Sequence, residues 1–136
     1  AGALAFDWGP LPLPELPQGV LPAALYFLAR DDAGTAQVWE LPVSGEAPRP
    51  VTASAQPVVD YTVRAERVAY VTQTEVTLAA LDGSQTQPLG TLSAGRVRPT
   101  VGLNADASQV AFSDDRGLWT VPADGSQPPR LVGGKL

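Results

Sequence analysis

Val68-Ala69-Tyr70, running on to Asp82-Gly83-Ser84 and Leu89, and Val110-Ala111-Phe112, running on to Asp124-Gly125-Ser126 and Leu131, are two copies of one pattern. Each opens on an apolar-small-aromatic triplet, crosses polar residues into a second apolar stretch, and reaches the same Asp-Gly-Ser. The distance from Val68 to Gly83 equals that from Val110 to Gly125, and a Leu follows each Gly at the same remove. A weaker copy runs from Leu25-Tyr26-Phe27 to Ser44-Gly45-Glu46 and Val51, with about five extra residues, placed in Asp31 to Thr35. Gly45, Gly83 and Gly125 thus recur every ~40 residues, the spacing of a propeller blade.

The pieces read as strands and hairpins. Leu25/Phe27, Val68/Tyr70 and Val110/Phe112 alternate with a period of two, which predicts half-buried strands with these six side chains in equivalent buried positions. Val38-Trp39-Glu40-Leu41, Val76-Thr77-Leu78 and Leu118-Trp119-Thr120-Val121 form a second strand set, rich in β-branched and aromatic types. Pro57 to Val63 and Val97 to Leu103 supply an innermost strand for the second and third repeats. The Gly of each Ser-Gly or Asp-Gly provides the positive φ of a tight reversal. With 14 Pro and 13 Gly in 136 residues, few helical windows survive uninterrupted. The expected fold is all-β: a partial β-propeller of about three four-stranded blades, near residues 24–52, 57–90 and 97–132. A Pro-rich arm or linker over 1–22 precedes it, with Gly9 to Pro17 favouring extended geometry and Phe6 and Trp8 available to tuck into the domain.

Asn104-Ala105-Asp106-Ala107-Ser108-Gln109-Val110-Ala111-Phe112-Ser113, followed by Leu118-Trp119-Thr120-Val121-Pro122-Ala123-Asp124-Gly125 and Leu131, resembles the TolB-like propeller repeat. That repeat runs roughly Ser-Pro-Asp-Gly, an apolar-Ala-Phe-Ser segment, an Ile-Tyr-Val strand, Asp-Gly and a closing Leu-Thr. The second copy keeps Val68-Ala69-Tyr70 and Asp82-Gly83, but its turn has decayed to Arg64-Ala65-Glu66-Arg67. The first retains only Val38-Trp39 to Pro50-Val51-Thr52. The resemblance covers about residues 24 to 133. It implies a non-catalytic protein-interaction module in an extracytoplasmic bacterial protein, periplasmic, secreted or on the cell surface. It also leaves open a gating or accessory domain of a larger hydrolase, or a domain binding carbohydrate or peptidoglycan. Ala1-Gly2-Ala3 without Met, and Gly133-Gly134-Lys135-Leu136 at the end, read as a piece of a longer polypeptide.

Composition narrows the chemistry. Lys and Arg total 9 against 14 Asp and Glu, a formal charge of −5, and the basic residues are scattered singly, which argues against nucleic acid. The longest apolar run, Val20 to Ala29, is too short for a membrane span and contains Pro22, so no membrane insertion is expected. Without His or Cys there is no Ser-His-Asp or Cys-His nucleophile and no ordinary zinc site. The only lysine is Lys135. No catalytic residue, cofactor or metal is therefore assigned. Asn104-x-Asp106-x-Ser108 has alternate oxygen-bearing side chains, as a calcium loop does, but lacks its Gly and bidentate Glu; local turn bonding is the expectation.

Asp31-Asp32 and Asp114-Asp115 are adjacent carboxylates in post-strand loops, where neighbours point apart and read as solvated turn residues. Trp39 and Trp119 each stand six before the repeat Gly, fitting a blade-packing role, with an exposed aromatic platform as the alternative. Arg30 and Arg116 flank the acid pairs. Together Arg30, Asp31, Asp32, Trp39, Asp114, Asp115, Arg116 and Trp119 make a candidate binding rim on matching loops of a rigid scaffold. Three blades leave two raw ends, because closed propellers need four to eight. Dimerisation, completion by missing blades of the parent chain, or capping by the arm would cover them.

Overall fold

The computed structural model describes residues 23–93 and 95–133, and the Pro-rich stretch 1–22 lies outside them. Among the described residues there is no helix. The described residues form eleven strands, which follow one another in three antiparallel sheets. Sheet I holds β1 (Leu25–Arg30), β2 (Ala36–Leu41) and the short β3 (Arg49–Pro50). Sheet II holds β4 (Asp60–Arg64), β5 (Arg67–Val71), β6 (Glu75–Ala80) and β7 (Gln87–Thr91). Sheet III holds β8 (Thr100–Leu103), β9 (Gln109–Asp114), β10 (Gly117–Pro122) and β11 (Arg130–Gly133). Strands within each sheet are hydrogen-bonded in chain order, so every connection inside a sheet is a simple reversal. Sheet I departs from the expected four strands: among the described residues it has three, and nothing described precedes β1 to serve as an innermost strand.

Strand register makes the sequence repeat a spatial one. Phe27 lies opposite Trp39, Tyr70 opposite Thr77 and Phe112 opposite Trp119. Leu25 faces Leu41, Val68 faces Ala79, and Val110 faces Val121. Residues directly opposite share a face, so each sheet presents one face through these pairs and the other through the residues between them. Gly45, Gly83 and Gly125, six beyond Trp39, Thr77 and Trp119, have φ of 76°, 84° and 71°. That left-handed backbone costs a residue with a Cβ but not glycine.

The core lies between the sheets. Sheet II packs Val68, Tyr70 and Ala79 against Val38, Val51 and Val58 on the sheet I side. Its opposite face, with Ala69, Val71, Val76 and Leu78, packs on Val110, Phe112 and Val121 of sheet III. We call the Val68/Tyr70 side of each sheet its leading face and the other its trailing face. In both seams a trailing face covers the leading face of the next sheet. The seams differ in chemistry. Tyr26 and Glu40 of sheet I occupy the trailing positions that Ala69 and Leu78 fill in sheet II. There Tyr26 Oη donates to Glu40 at 2.9 Å, Arg49 pairs with Glu40 at 2.8 Å, and Tyr61 Oη donates to the Tyr26 carbonyl at 2.9 Å. Burial first and the Glu40 bond second push the Tyr26 phenol up to about 12. The first seam is thus partly polar, the second apolar.

The expected burial of Leu25 and Phe27 fails. Val68, Tyr70, Val110 and Phe112 are buried, but Leu25 is 54% exposed and Phe27 37%. The reason is position: β5 has β4 beside it and sheet I across it. β1 has neither an inner neighbour nor a preceding sheet among the described residues.

Candidate functional site

The β1–β2, β5–β6 and β9–β10 loops and the two crossovers between sheets belong to one end of the strand array, as the chain's up-and-down order requires. The candidate rim residues fall here, yet they do not form one site. The structure brings Asp114, Asp115, Arg116 and Trp119 together on sheet III. Arg30, Asp31 and Asp32 belong to the end of sheet I, and Trp39 belongs to its leading face.

Asp114 is the centre of the sheet III cluster, and it is buried rather than solvated. Its Oδ1 accepts the Arg116 backbone N–H at 2.9 Å and the Trp119 indole N–H at 3.1 Å. Its Oδ2 accepts the Ser93 N–H at 2.9 Å and the Arg116 guanidinium at 2.9 and 2.6 Å. Burial alone would raise its pKa, but the Arg116 bonds and the surrounding N–H donors outweigh it and hold the carboxyl down at about 2. Asp115 accepts the N–H groups of Arg96 and Val97 at 3.1 and 2.9 Å. The pair therefore points apart, as adjacent residues on a strand end must, but neither member is a merely solvated turn residue. Both clasp the Leu92–Pro99 crossover that carries the chain from sheet II to sheet III. Gly95 leaves room for this: a Cβ there would overlap the Asp115 carboxylate as it lies, so the side chain would have to shift.

Arg116 extends from the ion pair to the Thr91 carbonyl at 3.1 Å, and its guanidinium lies 4.5 Å from the centre of the Trp119 ring. Trp119 in turn stacks on Phe112, with centroids 6.3 Å apart and planes 7° from parallel. Cation, indole and phenyl thus form a layered stack against sheet II, beside a shallow depression lined by Gly90, Thr91 and Pro129. Trp119 is a seam residue. Trp39 holds the same repeat position without a preceding sheet among the described residues to pack on, and its indole donates to the Ala29 carbonyl at 2.9 Å. Ala29 and Asp114 are themselves equivalent, two residues beyond Phe27 and Phe112. Both indoles therefore reach to the same point of their sheets, one bonding to main chain and one to a carboxylate.

Asp31 Oδ1 caps its own loop, accepting the N–H groups of Ala33 at 3.0 Å and Thr35 at 2.9 Å, and these bonds, the Thr35 one foremost, lower its pKa. Arg30 and Asp32 are exposed or partly exposed and make no side-chain hydrogen bond among those described. In the Asn104–Ser108 turn, Asn104 Oδ1 accepts Gln109 N–H at 3.0 Å, Asp106 Oδ1 accepts Ser108 N–H at 3.1 Å, and Asn104 Nδ2 donates to Ser108 Oγ at 2.9 Å. These side chains turn inward to the local backbone. Among the described residues no three acidic side chains converge as a metal site would require.

Sequence reasoning missed Gln37. It is buried as the second residue of β2 and clasps the first crossover, accepting from Thr52 Oγ1 at 2.7 Å and Ser54 N–H at 3.0 Å while donating to the Ser54 carbonyl at 2.8 Å. An uncharged polar residue between Ala36 and the apolar Val38-Trp39 was the available signal. It also missed Asp60, which accepts Val101 N–H at 3.0 Å and so ties the inner strands of sheets II and III.

No family model matches this chain, and no curated protein matches it. Among solved structures it is similar to a chain of the crystal structure of a nidogen/laminin complex, with a TM-score of 0.60 and 14% identity. The match covers 85% of this chain and 46% of that one, so the present chain spans less than half the length of its structural neighbour. At this identity the likeness defines the fold alone, a propeller-like stack of antiparallel sheets.

Proposed function

We propose that the chain provides three blades of a TolB-like β-propeller and acts as a non-catalytic protein-interaction module in an extracytoplasmic bacterial protein. The sheets are the blades, the first with three strands among the described residues, and residues 1–22 are the arm that precedes them. The observation carrying this reading is the leading face of sheet I. Leu25 and Phe27 are exposed there beside Trp39 and Leu41, while the same positions in sheets II and III are covered by a neighbouring sheet. An apolar sheet face of this kind favours a protein partner over a small polar ligand. The charged residues of the candidate rim give less support for chemistry, because Asp114, Asp115 and Arg116 are engaged in holding the fold.

A photoreactive phenylalanine analogue at position 27 tests the reading in the native host's envelope fraction. A covalent adduct to a polypeptide, absent when the analogue replaces the exposed loop residue Thr74, is the expected result. No adduct at position 27 would overturn it.

A further inference from the structure

We infer that a second copy of this chain covers the open faces, the trailing face of sheet III in each copy seating on the leading face of sheet I in the other. The inference rests on the reading of sheet I's leading face as a protein-binding surface and specifies what binds.

The two seams within the chain show what covers a leading face. Val68, Tyr70 and Ala79 are covered by the trailing face of sheet I, and Val110, Phe112 and Val121 by the trailing face of sheet II. By repeat equivalence Leu25, Phe27, Trp39 and Leu41 await a surface of the same kind. The one trailing face left without a following sheet among the described residues is that of sheet III. It carries Ala111, Leu118 and Thr120, all partly exposed, at the positions of the buried Ala69, Val76 and Leu78. A Cβ built on its Gly102 meets nothing, and the face also carries Gln109 and Arg130, the latter opposite Thr120 as Arg49 stands opposite Glu40 on the trailing face of sheet I. The described residues thus expose both halves of a seam at opposite ends of their row of sheets, and three sheets are too few to bring those ends together.

A two-fold axis resolves this. If the sheet III face of one copy meets the sheet I face of the other, symmetry creates the reciprocal contact, and no open face remains. The result is a ring of six sheets, within the four to eight that close a propeller. The proportion agrees: 85% of this chain occupies 46% of the neighbouring solved chain, so two copies match that longer chain in extent.

Light scattering of the purified chain at tens of micromolar reads the outcome. Twice the chain mass is expected for the wild type. Phe27→Glu, on the leading face, and Leu118→Lys, on the trailing face, are each expected to run at the chain mass with unchanged circular dichroism. Mixing the two variants is the decisive arm. One of the two seams then carries both substitutions as a Glu–Lys pair and the other carries neither, so the dimer mass should return. A monomeric wild type overturns the inference, whether the faces are covered by residues 1–22 or by another protein. A dimer abolished by Phe27→Glu but indifferent to Leu118→Lys, and not rescued by mixing, also overturns it by indicating contact between like faces. A monomer that still cross-links to another protein through position 27 sinks the self-association and leaves the interaction module standing.

Discussion

At the scale of single residues, position in the stack of sheets outweighs residue type. Phe112 and Phe27 occupy the same repeat position, opposite a Trp in both cases, yet one is buried and the other 37% exposed. Phe112→Ala should cost about 3–5 kcal/mol, as for a buried aromatic whose cavity cannot collapse. Phe27→Ala in the monomeric state should cost less than about 1 kcal/mol. Urea denaturation of both variants checks this, and equal losses would contradict the stacking order. Asp114 makes a pH prediction. Its folded pKa of about 2 lies below the ordinary 3.8, so its stabilisation is fully present above that ordinary value and is lost as pH falls through about 2. The shift corresponds to roughly 2 kcal/mol. Asp114→Asn should remove that part of the acid dependence between pH 4 and 2 and lower stability at neutral pH, since Arg116 then loses its charge partner. Stability measured across that range would show an unchanged acid limb if the clasp were unimportant.

At the scale of elements, turns carry the conformational demands that the sequence meets unevenly. Each repeat Gly sits where φ is positive. The β4–β5 hairpin has two residues between Arg64 and Arg67, and both, Ala65 and Glu66, adopt positive φ at 49° and 62°. This is the turn geometry that Asn-Gly fills without strain, occupied here by residues that resist it. Ala65→Asn with Glu66→Gly should stabilise the protein by about 1 kcal/mol, read as a higher urea midpoint at unchanged slope. A lower midpoint would show that the Ala65 or Glu66 side chain contributes elsewhere. The crossovers are the other demanding elements. Lacking regular pairing, they are held by side chains: Gln37 for the first, Asp114 and Asp115 for the second.

At the scale of the whole molecule, a row of sheets has unequal members. Among the described residues, sheet II is covered on both faces, while sheets I and III are each covered on one. Stability in such an array comes from nearest-neighbour seams. Amide exchange should therefore be slowest in β5 and β6, around Val68–Val71 and Val76–Ala79, and fastest in β1, which lies at an edge. The partly polar seam at Tyr26, Glu40 and Arg49 should open before the apolar seam around Leu78 and Phe112. Hydrogen exchange with mass spectrometry resolves the order, and equal protection of β1 and β5 would mean that something else covers sheet I.

The sequence by itself determined the all-β character and the registration of the repeats, because both follow from short-range physics. Two-residue alternation defines strand faces, Pro and Gly suppress helix, and a Gly at each reversal answers a local φ requirement. Hence Phe27, Tyr70 and Phe112 could be aligned from spacing alone. The candidate rim was legible only as a set of loop residues. Whether Asp114 is solvated or buried depends on where Ser93, some twenty residues earlier in the chain, comes to lie against it. Which of two equivalent aromatics is covered depends on whether another sheet precedes it. Both are facts about neighbours distant in sequence, and side-chain alternation within one strand carries no information about them. Only the tertiary structure decided that acids resembling a binding rim fasten a crossover, and that among the described residues the leading face of sheet I leaves Leu25 and Phe27 exposed.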